Sequence, residues 1–187
     1  MSNIKKLSLI PLVILVSYVN ITNAATGDDQ GTVHFKGTVI NPPCEVDTNS
    51  KDVTVTFTPV GTNGFSANGE EDAQTQDLAI KLGTCPADMT INLTFSGVTA
   101  TTSEQLKAMT GTDPTGLGVV LYGTGTASNT KVTFDNMPNV AFAQTTPTGA
   151  ASDLTFNYTA KLVATVEPET MKGGAFTADA TYTIYYP

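Results

Sequence analysis

Gly31-Thr32-Val33-His34-Phe35-Lys36-Gly37-Thr38-Val39 alternates without a break between small or apolar residues and polar ones. In an extended chain successive side chains point to opposite faces. Gly31, Val33, Phe35, Gly37 and Val39 therefore share one face, and Thr32, His34, Lys36 and Thr38 the other, which is the pattern of a half-buried β-strand. Its position in the chain is the unusual part. Upstream lies a segment with the marks of a cleaved leader, so this strand is expected to open the mature protein with almost nothing before it. A strand with one apolar face and no neighbour at its start needs a partner.

The leader reading rests on Met1 to Ala24. Lys5 and Lys6 give a positive start, Leu7 to Val16 an apolar stretch interrupted by Pro11, and Thr22-Asn23-Ala24 a small-residue cleavage site. That is the layout of a secretory signal peptide, with cleavage expected after Ala24. The apolar run falls well short of the roughly 20 residues that span a bilayer. Removal leaves residues 25–187, the size of one domain.

Charge narrows the partners. The full chain carries a net charge of −8 with 17 acidic residues and 9 lysines and arginines, all of them lysine. Losing Lys5 and Lys6 moves the balance to about −10. Nucleic acid is excluded as a partner, because phosphate binding needs clustered Arg and Lys. The acidic residues are scattered, without the spacing of a metal loop, and read as a solvated surface. Two cysteines, Cys44 and Cys85, in an exported chain are expected to form a disulfide. Closing a loop of about 42 residues would stabilise the fold by roughly 4 kcal/mol in the chain-entropy treatment.

Downstream, strand patterns recur at short intervals. Asn41-Pro42-Pro43-Cys44 ends the opening strand, and Val53-Thr54-Val55-Thr56-Phe57-Thr58 resumes the period of two. Residues 59–76 are rich in Gly, Asn, Thr and acid and read as a long loop. Leu78, Ile80 and Leu82 form one strand face; Met89, Ile91, Leu93 and Phe95 form another. The segment Thr101 to Thr115 predicts one or two helical turns, with Thr102-Ser103 as a cap. Gly116 to Gly123 is a continuous apolar run and predicts a strand covered on both faces. Thr130 to Phe134 and Val140 to Phe142 are short strand candidates. Leu154, Phe156, Tyr158, Ala160 and Leu162 make a long alternating strand, as do Phe176, Ala178, Ala180, Tyr182, Ile184 and Tyr186 at the end. Many short strands, Thr in the polar positions and no fixed repeat predict an all-β sandwich of Greek-key type.

Catalytic constellations are missing from the sequence. The only histidine is His34, on the polar face of the opening strand, so no nucleophile and base pair is formed from it. Glu70-Glu71-Asp72 and Glu167 with Glu169 lie in turn-like stretches with no scaffold to raise one pKa above the other. No P-loop, dinucleotide fingerprint or zinc spacing is present. The expectation is a protein that is not an enzyme, with no catalytic residues, no metal and no cofactor.

These features together resemble the pilin subunits of the chaperone–usher pathway, closest to the major subunit of type 1 fimbriae. The opening Gly31 to Gly37 with Val39 and Cys44 is similar to the family's N-terminal extension and first strand. The Cys44 and Cys85 spacing is similar to its disulfide, and Gly116-Leu117-Gly118-Val119 resembles a mid-domain G-x-G strand start. Most specific is the ending: Gly174, fourteenth from the C-terminus, and Tyr186, next to last, match the family's C-terminal β-zipper motif, with Pro187 a small departure.

The resemblance implies an incomplete immunoglobulin-like Greek-key sandwich that lacks its last strand and is completed by a donor strand from another subunit. It implies three segments: 1–24 a signal peptide, 25–37 a donor-strand extension, 38–187 the pilin domain. Gly31, Val33 and Phe35 would be donated, and Gly174, Phe176, Ala178, Ala180, Tyr182, Ile184 and Tyr186 would line the receiving groove. Implied partners are neighbouring pilin subunits, a periplasmic chaperone and an outer-membrane usher, with export through the periplasm to a surface fimbria that supports cell adhesion. A major shaft subunit fits best. A minor adaptor is the alternative; a tip adhesin would need a further domain, and a periplasmic chaperone would need basic residues that this chain lacks.

Overall fold

The computed structural model describes residues 32–37 and 44–187, which belong to two separate units. The expected signal peptide, Gly31, Thr38, Val39 and the Asn41-Pro42-Pro43 turn lie outside the described residues. Thr32 to Gly37 carries no strand pairing, and its apolar side chains face solvent: Val33 is 72% exposed and Phe35 94%.

Residues 44–187 are built from two sheets. Strands β1 (Glu45–Val46), β2 (Gln76–Cys85), β4 (Leu106–Thr110), β5 (Asp113–Gly123) and β7 (Ser152–Ala164) form a five-stranded sheet in the order β1-β2-β7-β5-β4. Strands β3 (Thr90–Gly97), β6 (Gln144–Thr145) and β8 (Ala180–Tyr185) form a three-stranded sheet in the order β6-β3-β8. All named pairings are antiparallel. The long alternating strand expected from Leu154 to Leu162 is β7, the centre of the larger sheet, pairing Phe156 with Ile80 on one side and Leu162 with Val119 on the other. A strand paired on both edges and buried on one face is where alternation is cleanest.

The alternating residues meet where expected. Ile80, Leu82, Phe156, Tyr158, Ala160, Leu162, Val119 and Leu121 from one sheet and Ile91, Leu93 and Phe95 from the other are all buried in one cluster. Phe95 meets Tyr158 edge-on with ring centroids 5.3 Å apart, joining the sheets at the centre of the core; such pairs add about 1 kcal/mol beyond their buried area. The run Gly116 to Gly123 is covered on both faces, since Val120 is as fully buried as its core-facing neighbours Val119 and Leu121. Gly116 is required there: its φ is +85°, and a Cβ would lie 2.5 Å from Val166 Cγ2.

Four local expectations are corrected. No α-helix occurs among the described residues. The Thr101 to Thr115 segment instead makes a tight turn, closed by the Gln105 amide donating to Thr102 O, and then enters β4. So short a helix is marginal in water, whereas a strand from Leu106 buries Leu106 and Ala108 and pairs with β5. Val140–Phe142 is a 3-10 turn, capped by Asn139 Oδ1 accepting from the Ala141 amide. Val53 to Thr58 is not part of any ladder. The Thr130 to Phe134 candidate makes only isolated pairings, Lys131 with Tyr122 and Asp135 with Ser96, so it passes from the larger sheet to the smaller.

Cys44 and Cys85 form the expected disulfide and are both buried. On the outer face of the larger sheet Glu71 gathers Lys131 at 2.9 Å, Lys161 at 3.5 Å and the Tyr122 hydroxyl, which donates to it. Burial alone would raise the Glu71 pKa, but the hydrogen bonds from Tyr122 and Lys131 and the two lysine charges outweigh it and hold the carboxyl below its ordinary value.

Two tests follow from these contacts. Replacing both cysteines by serine should lower the unfolding free energy by about 4 kcal/mol in denaturant titrations; a loss under about 1 kcal/mol would mean that the bridge constrains little. Glu71→Gln should cost roughly 1 kcal/mol at pH 7. Because the folded carboxyl has the lower pKa, that stabilisation is present above the ordinary carboxylate range and is lost as pH falls through the folded value. The difference between wild type and variant should therefore close as pH falls below the ordinary carboxylate range. A difference that stays constant with pH would show that the charge is not involved.

Candidate functional site

An apolar groove of about 1430 Å³ opens along one edge of the sandwich. One wall is the Val53–Val60 segment. It is extended, with Val55, Phe57 and Val60 turned toward the core and half-buried, while Val53 is more exposed. No backbone hydrogen bond among the described residues involves Val53 to Phe57. The other wall runs from Lys172 through β8 to Tyr186. β8 pairs with β3 on one side, Leu93 opposite Ile184 and Phe95 opposite Tyr182, and is the edge of its sheet on the other. The floor between the walls is the hydrophobic core itself, including Phe95, Leu106, Val119, Leu121 and Ala160.

The ending that the sequence read as one strand is divided. Before β8, Thr177 exchanges both backbone hydrogen bonds with Met109 of β4, at 2.8 and 2.9 Å. From Ala180 the chain pairs with β3 instead. The segment thus crosses from the edge of one sheet to the edge of the other, and the groove lies beside this crossing. Gly174 begins it with φ +140°, a conformation that favours glycine, while a Cβ there would meet only Thr110 at ordinary contact distance, 3.9 Å. Backbone geometry, not crowding, selects that residue.

Gly174, Phe176, Ala178, Ala180, Tyr182, Ile184 and Tyr186 all line the groove. Phe176, Ala178, Tyr182, Ile184 and Tyr186 are half-buried, while Gly174 and Ala180 are exposed. Cys44 and Cys85 are joined beside the first wall, with Cys44 itself in the lining. Val33 and Phe35 lie in the exposed Thr32 to Gly37 stretch, and Gly31 lies outside the described residues. The sequence reading missed the role of Val53–Val60 as a wall. The available signal was Pro59 at the end of that alternation, since proline is found at unpaired edges and not inside ladders.

Tyr182 of β8 and Tyr186, just past its end, reach across to the segment that leads into the first wall. The Tyr182 hydroxyl donates to Ser50 O at 2.7 Å, and the Cys44 amide donates to the Tyr186 hydroxyl at 2.9 Å. Burial raises the Tyr182 pKa, which keeps its hydroxyl protonated as a donor. Elsewhere in the core, burial pushes the Tyr158 phenol far up, and its hydroxyl has no partner among the described residues. Charged residues are confined to the rim, where Lys51, Asp52, Lys172 and Asp179 stand at its ends. No group of three His, Cys, Asp or Glu able to hold a metal occurs among the described residues. Such a surface suits an extended apolar segment and offers no acid, base or nucleophile to a substrate.

Comparison with known proteins agrees with this geometry. The family model for "Fimbrial protein" matches residues 33–187. The chain is 29% identical to KS71A fimbrillin of Escherichia coli over 92% of each sequence. It is 32% identical to the type 1 fimbrial subunit of Salmonella typhimurium, covering 83% of this chain and 82% of that one. It is 30% identical to the PRS fimbrial major pilin protein of Escherichia coli, covering 87% and 98%. Among solved structures, the P pilus rod subunit PapA superposes with a TM-score of 0.63 at 25% identity, over 78% of this chain and all of that one. A subunit from a chaperone–usher pilus gives 0.61 at 26% identity, over 86% and 97%. The chain belongs to the fimbrial protein family: it is a structural, non-enzymatic pilus subunit with the immunoglobulin-like sandwich fold of that family.

Proposed function

We propose that this chain is the major shaft subunit of a surface fimbria and that it polymerises by donor-strand exchange. The observation that carries the reading is the groove, an exposed stretch of core flanked by two strand edges without partners. An exposed apolar slot of this kind is unstable in water, and a free edge pairs with any suitable strand. Adding one strand would satisfy both walls and cover the floor at once.

The occupant proposed is the Gly31 to Val39 stretch of a neighbouring copy. Its apolar face of Gly31, Val33 and Phe35 suits the groove, and Thr32, His34 and Lys36 would face outward. Because donor and acceptor are different surfaces, the contact is heterologous and continues from subunit to subunit as a filament. On this reading residues 1–24 are a signal peptide, 25–37 the donor extension and 38–187 the receiving domain. A periplasmic chaperone would fill the groove first, an outer-membrane usher would direct the exchange, and the assembled fimbria would support cell adhesion. The shaft role is supported by the likeness to a major pilin and to a rod subunit.

Deleting residues 25–36 should leave a subunit that binds the chaperone but cannot be added behind another copy. Ladders of polymers in unheated denaturing gels from that deletion would sink the reading. Gly31→Leu should block assembly while leaving the domain folded by circular dichroism, because Gly31 is the smallest residue on the donor's apolar face before Gly37 and is placed where the groove is narrowest. Normal fibre growth by that variant would mean that the register is shifted.

A further inference from the structure

The two tyrosine contacts across the groove do more than line it. Their landing points are fixed independently to the larger sheet: Cys44 by its disulfide to Cys85 of β2, and Ser50 by its hydroxyl accepting from the Lys81 amide of β2 at 2.9 Å. Ser50 is 3% exposed and Cys44 6%, so both bonds end on buried residues. Tyr182 belongs to β8, in the other sheet, and Tyr186 directly follows its end. Each bond therefore ties the free edge of one sheet to an anchored point on the other. The pairing order, Cys44 with Tyr186 and Ser50 with Tyr182, makes the two walls antiparallel, so the Val53–Val60 wall continues opposite the residues before β8. At the far end of the slot the turns Thr62–Gly64 and Pro168–Thr170 adjoin.

We infer that Tyr182 and Tyr186 are positioning residues, whose hydroxyls act as struts that hold the groove walls at strand-accepting separation before a donor arrives. The physical need is clear. Val55 and Phe57 on one wall and Phe176 and Ala178 on the other are partly buried apolar side chains around an open slot. With nothing between them, burial of apolar area favours closing the slot. A rigid ring ending in a hydrogen bond to anchored backbone resists both closing and splaying, and the cost of shaping the groove is then met in folding and not in binding. Tyr182 and Tyr186 both pack against the core, so a donor can lie above the struts without breaking them. Phenylalanine keeps the ring and its packing and removes only the hydroxyl, which makes it the discriminating substitution.

The inference rests on the groove being the acceptor of a strand, and the test separates the two. In the full chain, kept dilute so that copies do not join, spin labels at Thr56 and Thr181, one on each wall and both exposed, report wall separation before any donor peptide is added. Wild type should give one narrow distance distribution, and the Tyr182→Phe, Tyr186→Phe double variant a broadened one. Stopped-flow mixing of the full chain with a synthetic peptide of residues 31–39 should then show association about tenfold slower in the double variant, as loss of two hydrogen bonds implies, with dissociation changed less than about twofold. A residue that merely stabilised the fold would leave the distance distribution narrow and would not separate the two rates. An unchanged distribution in the double variant overturns the strut inference, and so does an unchanged association rate. If the wild-type chain does not take up the peptide, the donor-strand reading fails by itself, and the struts are judged on the distance distributions alone.

Discussion

The β8 edge is a row of backbone amides and carbonyls with a ladder on one side only, set directly over the hydrophobic core. Backbone groups at that depth carry an obligation to pair, and the described chain offers no strand to meet it. Across the slot, Val53 to Phe57 makes no backbone hydrogen bond to any described residue. Most other features of residues 44–187 can be understood as arrangements that keep this open edge in shape. The disulfide pins the start of one wall to β2, the Thr177–Met109 pair of hydrogen bonds ties the approach of the other wall to β4, and the tyrosine hydroxyls connect the two.

The remainder of the sandwich is conventional by contrast, and that is what allows the edge to stay open. β7 pairs with β2 over its first part and with β5 over its second, and the aromatic cluster of Phe95, Phe134, Phe142 and Tyr158 joins the two sheets through the core beneath the slot. A core closed on three sides can tolerate exposure on the fourth, where a smaller one would collapse into it. None of the residues of the Glu71 network on the outer face lines the groove.

A structural subunit of this kind has chemistry without catalysis. Its single reaction is the pairing of backbone with backbone and apolar side chain with apolar floor. Specificity in such a contact comes from which side chains fit at alternate positions, and affinity from the ladder. The acidic, arginine-free composition is consistent with that division: charge is kept to the rim and the outer faces, where it costs nothing to the slot.

Much of this was legible in the residues. Alternation located β2, β3, β7 and β8 and their core-facing sides, because a strand with one buried face must repeat every second residue. The pairing of Cys44 with Cys85 followed from there being no other cysteine. Gly174 and Tyr186 marked the ending, and the structure adds why: a left-handed backbone at one and a hydroxyl reaching Cys44 at the other. What the residues could not show was which alternating segments would find partners. Val53 to Phe57 and Leu78 to Leu82 have the same pattern, yet only the second is in a ladder, since pairing depends on what lies alongside in space. The helical turn expected near Thr102 became β4 for the same reason, a neighbouring β5 edge outweighing a weak local preference. Strand periodicity is written locally in sequence; the presence or absence of the next strand is a property of the whole fold, and here that absence is the site.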